Sequence, residues 1–440
     1  MKLNSFMNSR FMQKFIEIAG RIGGQRHLLA IRDGFVALMP LIIIGSLAVL
    51  LNNFPPIGGF KFVEIMNGVF GEGNWQQVGG KIWDGTFAVV GLLLSFSIAY
   101  NLAKSYEVDG LSAGLISLAS YIILVPQTAD WGLNFAWLGA QGLFVAIIVS
   151  LITTELFRIL VQSKITIKMP DGVPPGVARS FVALIPSMII LFLVGLFQAL
   201  MNIFAGTSIF EVIFNAIQGP LQGIGNTLPA AIAVAFLTHL LWFFGLHGTN
   251  IIGGVIEPIY LPLIEKNVAV FQSGVAATEV PNIVTKPFFD SFVYMGGAGT
   301  TFALLIAILI FIRKEQQHPY REVAKLATPP GLFNINEPVI FGLPIVLNPL
   351  MLIPFILVPI VLTIISYVAL ATGLVPRTVA IVPWSTPPIL SGYLVTGGSI
   401  RGIILQVVNM AIAVLIYSPF LLASIKASKS KASHTNDISM

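Results

Sequence analysis

No cysteine occurs in the 440 residues. Disulfides, thiolate metal sites and a nucleophilic or phosphate-accepting cysteine are therefore excluded within this polypeptide. Charge is also scarce: 24 Lys plus Arg and 19 Asp plus Glu make up 10% of the chain, against roughly 25% in ordinary soluble domains. A water-facing surface cannot be built from so few charges, which excludes a soluble protein. The formal net charge of +5 sits in short loops, where membrane topology accounts for it, so no nucleic-acid partner is expected. What fills the chain instead is apolar: 56% of positions, in continuous runs near the ~20 residues that cross a bilayer as a helix. The runs do not alternate with period two, which argues against a transmembrane barrel. Residues 1–30 carry Lys2, Arg10, Lys14, Arg21 and Arg26 in an amphipathic pattern without a small-residue cleavage site, so no cleaved signal peptide is expected.

The runs predict an all-α polytopic membrane protein. Spans are expected near 31–51, 86–103, 111–126, 138–157, 180–204, 227–246, 293–312, 351–372 and 400–425. The loop 158–179, with Arg158, Lys164, Lys168 and Arg179 against Asp171, and the stretch 313–325, with Arg313, Lys314, Arg321 and Lys325 against Glu315 and Glu322, both read as cytoplasmic. An even number of crossings must separate them, so a further span is expected in 248–270, interrupted by Glu257, Pro258 and Pro262. About ten spans then place both termini in the cytoplasm. Two more apolar segments, 328–349 and 376–399, are interrupted by Pro and Gly and are expected to be re-entrant or broken helical hairpins. Irregular backbone survives at membrane depth only where protein buries it or it lines a wet cavity. Residues 1–205 therefore read as a regular scaffold half and 206–440 as the substrate-binding half.

Polar residues concentrate in the broken half. The stretch Asn334-Ile335-Asn336-Glu337-Pro338, running on to Pro344 and Asn348-Pro349, puts a carboxylate among carboxamides and Pro-freed carbonyls, a set suited to a polyhydroxylated ligand. A carboxylate at membrane depth is rarely kept without a use. The bland alternative is a helix start capped by Asn336 or Asn334. His239, Trp242 and His247 share a helical face if the helix runs on to Gly248, and with Asn250 they make a stacking and hydrogen-bonding set. The competing reading is an interfacial aromatic belt. Because His239 and His247 lack the four-residue spacing of a helical His pair, no metal site is expected, nor any cofactor. Trp384 in Val382-Pro383-Trp384-Ser385-Thr386-Pro387-Pro388 is a stacking platform or plain packing. Asn282, Thr285 and Asp290 line the same cavity or cap a helix. Glu257 is a coupling carboxylate, a substrate ligand or a buried partner for a helix end.

With these residues in view, the chain resembles the membrane (IIC) component of the phosphoenolpyruvate-dependent sugar phosphotransferase system, in its lactose/cellobiose/diacetylchitobiose family. The resemblance runs from Ala37-Leu38-Met39-Pro40 through Val173-Pro174-Pro175-Gly176-Val177 and Gly245-Leu246-His247-Gly248 to Asn334–Pro349. It implies a permease that binds an extracellular disaccharide, moves it inward and presents its C6 hydroxyl to a phosphorylated IIB protein. It further implies that His247 and Glu337 contact that hydroxyl, that Trp384 stacks on the sugar, and that His239 and Asn250 support it. A homodimer formed through the N-terminal half is also implied. In this family the IIB donor is a phosphocysteine, and a chain without cysteine then needs IIB, and IIA upstream, as separate proteins. Phosphotransfer is thus expected only together with those partners, for which Arg158, Lys164 and Lys168 are candidate docking points. The main rival is a secondary transporter coupled to H⁺ or Na⁺ through Glu257, Asp290 or Glu337.

Overall fold

The computed structural model describes residues 24–54, 61–128, 132–170, 172–312, 318–343 and 345–438, with 17, 18, 21 and 130. Lys2, Arg10, Lys14, Asp171, Arg313, Lys314, Glu315 and Pro344 lie outside the described residues. Among the described residues eighteen α-helices follow in order: α1 Arg26–Asn52, α2 Phe62–Phe70, α3 Gln76–Asp84, α4 Val90–Ser105, α5 Gly110–Leu124, α6 Leu143–Gln162, α7 Pro175–Leu200, α8 Ile209–Ile213 and α9 Gly219–Gly225, then α10 Leu228–Phe243, α11 Gly248–Gln272, α12 Lys286–Phe292, α13 Thr301–Phe311, α14 Pro319–Leu332, α15 Glu337–Gly342, α16 Pro349–Ala371, α17 Leu390–Val395 and α18 Ile400–Ile438. Among the described residues the only β pairing is an isolated bridge between Gln127 and Leu133.

Among the described residues six stretches are long and apolar enough to cross a membrane: Arg26–Asn52, Gln76–Ser105, Ala140–Gln162, Pro175–Ala205, Leu350–Ala371 and Ile400–Lys426. Ile209–Gly225 and Leu228–Phe243, bent by 83°, make a seventh if taken together. The expected spans near 111–126 and 293–312 are shorter helices, of 15 and 11 residues. The second is short because Val293–Thr300 is a turn in which Gly296, Gly297 and Gly299 take positive φ. The 248–270 segment departs from expectation the other way. Pro258 and Pro262 sit inside one continuous 25-residue helix.

Lipid tails are as apolar as leucine, so helices associate through close approach and interhelical hydrogen bonds rather than through burial from water. At Gly34 of α1 an added Cβ would stand 2.6 Å from Ile98 of α4. The Ser97 hydroxyl donates to the Gly34 carbonyl at 3.1 Å across the same contact. Outward faces stay apolar, as on α7, where Phe192 is 71% exposed. One buried cluster joins Ala30–Val149 side chains with Phe210, Leu261, Ile264 and Val268, while a second runs from Ala231 to Leu421 and includes Tyr260 and Leu263. Helix α11 is therefore shared, with alternate sides packed into the two cores.

The broken segments are held by buried carboxamides. Asn267 of α11 donates to the Asn282 and Thr378 carbonyls at 2.8 and 3.0 Å and accepts the Asn282 N–H at 2.9 Å. Asn226 accepts the Ile283 and Val284 N–H groups. Gln406 of α18 accepts the Ile389 and Gly392 N–H groups and donates to the Ser291 carbonyl. The segment 376–399 is an extended arm followed by the six-residue α17, so only one of its two sides is helical. The segment 328–349 is closer to a hairpin, with α14 and α15 joined through 333–336. Replacing Asn267 by Leu keeps the volume but orphans three backbone groups. Each orphaned group costs about 1–3 kcal/mol, so Asn267→Leu is expected to lower the unfolding temperature in detergent clearly; an unchanged melt would show that these pairs contribute nothing.

Candidate functional site

Between α1, the α10–α11 corner, α12, the 333–337 turn and the 381–384 arm lies a cavity of about 380 Å³. One wall starts where α10 stops. Gly245 takes φ 78, a left-handed conformation that favours glycine, and breaks the helix after Phe243. His239, Trp242 and His247 consequently do not share one helix. His247 is instead the N-cap of α11, and its Nδ1 accepts the Asn250 N–H at 3.3 Å and faces the Thr249 hydroxyl at 3.0 Å. The turn still brings the Trp242 and His247 rings to 4.3 Å. Trp242 is 2% exposed, lines the cavity, and its indole N–H has no partner.

Opposite stands Glu337, the first residue of α15. Its position follows from the glycine turn. Asn334, at φ 62, accepts the Gly296 N–H at 2.7 Å and donates to the Trp384 and Thr386 carbonyls at 2.6 and 3.0 Å. Asn336 donates to the Ala298 carbonyl at 3.1 Å. An added Cβ at Gly297 would lie 2.7 Å from both the Asn334 carbonyl and the Asn336 side chain, so only glycine lets the two turns meet. Neither carboxamide caps α15; both tie one broken segment to another. Both nevertheless line the cavity, as do Asn250 and Trp384, whose residue surface is 47% exposed.

The result is a gap. His247 Nε2 and Glu337 Oε1 stand 3.7 Å apart, with each side chain a little under half exposed. That is too long for a hydrogen bond, yet one hydroxyl oxygen fits within about 2.8 Å of both. With Nδ1 acting as acceptor, the neutral imidazole carries its proton on Nε2, toward the gap. The carboxylate can accept a hydroxyl proton while the imidazole donates to the same oxygen.

The other wall is ionic. Lys286, the first residue of α12, lies 2.6 Å from Asp290 and 3.7 Å from Glu257 of α11, with all three side chains at most 27% exposed. Asp290 thus lines the cavity as expected, but with its charge engaged. Glu257 is the more distant partner of a part-buried cation.

Two expected residues are elsewhere. His239 is fully buried, its Nδ1 on the Ala235 carbonyl at 2.5 Å and its ring against Tyr294 and Phe355, off the cavity wall. Asn282 is 6% exposed, donates to the Leu263 carbonyl, and also lies off the wall. His239 followed from a helical face shared with Trp242 and His247, and Asn282 from its place ahead of Asp290, while backbone pairing decides where both lie. Conversely, Arg32 and Lys286 line the cavity without being singled out. Lys286 carried a legible signal, a Lys four residues before Asp290, which is ion-pair spacing on a helix. Arg32 was masked by the basic N-terminus, where topology accounts for every positive charge.

Broken helices around a cavity with a few convergent polar groups are the arrangement in which membrane transporters hold a solute. The sequence places the chain more narrowly: residues 32–359 match the family described as phosphotransferase system, EIIC, and the chain belongs to that family. It is an integral membrane protein. It is 45% identical over 421 residues to the PTS system cellobiose-specific EIIC component of Geobacillus stearothermophilus, covering 92% of each chain. Similarity to the lichenan permease IIC component of Bacillus subtilis (strain 168) is 40% over 428 residues, covering 94% of this chain and 92% of that one. The fold is similar to the crystal structure of ChbC, the IIC component of the N,N'-diacetylchitobiose-specific phosphotransferase system. The TM-score is 0.89 at 43% identity, over 96% of this chain and 99% of that one.

The ionic wall gives a direct test. Lys286→Met leaves Asp290 and Glu257 without their cation on a part-buried wall. Breaking a fully buried pair costs about 3–5 kcal/mol and a part-buried one less, so the variant is expected to melt below wild type. A double change, Lys286→Met with Asp290→Asn, is expected to recover part of that loss, and no recovery would argue against the pairing.

Proposed function

We propose that the chain is the sugar permease of a phosphotransferase system. It takes an extracellular disaccharide of the diacetylchitobiose or cellobiose kind, carries it inward and offers its C6 hydroxyl to a separate phosphocysteine IIB protein, itself phosphorylated by IIA. The observation that carries the reading is the His247–Glu337 gap, sized for one hydroxyl and placed on the cavity wall. In-line phosphoryl transfer needs a positioned nucleophile, and a carboxylate that accepts the hydroxyl proton sharpens it. Trp384 supplies aromatic surface for the apolar face of a sugar ring, with the unpaired Trp242 indole N–H and Asn250 on the same cavity wall. The names of the relatives support the substrate class: cellobiose for the Geobacillus protein and N,N'-diacetylchitobiose for ChbC.

The ion-coupled alternative is less well supported. Two of its three coupling candidates, Glu257 and Asp290, face Lys286 in ion pairs, and the family works with sugar phosphotransfer.

In this reading about ten crossings leave both termini in the cytoplasm. The broken helix pair and the shorter apolar helices α5 and α13 are counted as crossings, as is α11. The cytoplasmic edge is the cluster in which Arg26 and Arg158 lie over the Tyr106 ring, at 4.9 and 4.7 Å, with His27 and Arg158 on Glu155. The outer edge carries the Lys61–Glu64 and Lys81–Asp84 pairs. The division at about residue 205 fits the two buried clusters, with α11 joining them. The apolar, largely uncovered α7 suits a homodimer contact within the N-terminal half.

Glu337→Gln keeps the shape of the gap and removes the proton acceptor. Disaccharide binding is expected to survive within a few fold, while transfer from phosphorylated IIB falls roughly 10²- to 10⁴-fold. Equal loss of both, measured by titration and by sugar phosphate formed, would make Glu337 a binding residue only.

A further inference from the structure

Two cations line the cavity, and they are not equivalent. Lys286 faces two carboxylates. Arg32 of α1 faces one, Asp33, which takes the Nε edge of the guanidinium: Nε donates to Oδ1 at 2.8 Å and Nη2 lies 2.6 Å from the same oxygen. The opposite edge, with Nη1 and the remaining Nη2 hydrogen, points away from that pair. A guanidinium edge of this kind matches two oxygens of a phosphoryl group.

Its placement is set by close helix packing. An added Cβ on Gly254 of α11 would stand 3.9 Å from the Arg32 Cβ and 3.3 Å from the Leu28 carbonyl. Helix α1 therefore presses on α11 one turn beyond Asn250, and Arg32 and His247 line one cavity. Along α1, Arg32 lies six residues past Arg26, roughly 9 Å deeper from the basic edge. It lines the same cavity as His247 and Glu337.

We infer that Arg32 binds the phosphoryl group as it passes from the IIB phosphocysteine to the sugar, and holds the sugar phosphate produced; this rests on the phosphotransfer reading above. The P–S bond of the phosphocysteine breaks with its electron pair going to sulfur. The C6 oxygen forms the new P–O bond, and its proton goes to the Glu337 carboxylate. A dianionic group must then come within a few ångströms of a carboxylate, and Coulomb repulsion at that range is large in a partly desolvated cavity. Lys286 has its charge balanced by Asp290 and Glu257. Arg32 is the cation whose open edge can offset the incoming charge.

The test uses the purified full chain in detergent with cellobiose and diacetylchitobiose, each with its 6-phosphate. The readout is the ratio of affinities for the phosphorylated and the plain disaccharide. Arg32→Gln is expected to lower that ratio roughly 10- to 100-fold, with transfer from phosphorylated IIB falling as well. Arg32→Lys, which keeps the charge without the fork, is expected to recover part of both. An unchanged ratio overturns the assignment, and so does equal weakening of both ligands, which makes Arg32 a sugar or packing residue. Wild-type protein that binds neither disaccharide overturns the phosphotransfer reading and this assignment together, and is distinguishable because the failure precedes any substitution.

Discussion

Backbone that leaves a helix inside a membrane must find hydrogen-bond partners within the protein, because no water is there to supply them. This chain meets that constraint with side-chain carboxamides. Asn226, Asn267, Asn334, Asn336 and Gln406 bond backbone groups of the 282–284, 296–298, 378–386 and 389–392 segments. The arrangement joins parts of the chain far apart in sequence. Asn334 alone links the glycine turn at 296 to the arm at 384. The cavity exists because these pairs let several helices stop at its edge without orphaned amides.

From that follows the division of labour between the walls. The His247–Glu337 wall is built from two helix starts, each fixed by its own backbone: His247 caps α11 with Nδ1, and Glu337 begins α15 behind the tethered Asn336. Both side chains keep an accessible face. The Lys286 wall is closed on itself, with each charge facing its opposite. A neutral, hydroxyl-rich solute can bond the first wall without breaking a pair in the second. A small cation would have to displace Lys286 from Asp290.

Much of this was legible in the sequence. The low charge and the apolar runs gave a helical membrane protein, and Asn334 to Pro349 with Gly245 to Gly248 gave the family. Cavity placement of Trp242, His247, Asn250, Asp290, Asn334, Asn336, Glu337 and Trp384 followed from residue type inside interrupted segments. The misses have a common cause. His239 read as sharing a helical face with Trp242 and His247, and Asn282 as lying ahead of Asp290, but a polar side chain at membrane depth serves either a ligand or the backbone, and only the fold decides which. Pro258 and Pro262 suggested a break that α11 does not make, whereas the glycines at 296, 297 and 299 made a break within an apparent span. Arg32 was hidden because one positive charge near a terminus looks like any other until packing against Gly254 sets it beside the site.

The central claim is that one sugar hydroxyl sits between His247 and Glu337. The most direct measurement is a structure of the protein with cellobiose or diacetylchitobiose bound. A primary hydroxyl within about 3.2 Å of both His247 Nε2 and a Glu337 carboxylate oxygen, with a sugar ring on Trp384, is the result the account predicts. A disaccharide seated against Lys286 and Asp290, with its primary hydroxyls away from the His247–Glu337 gap, would contradict it.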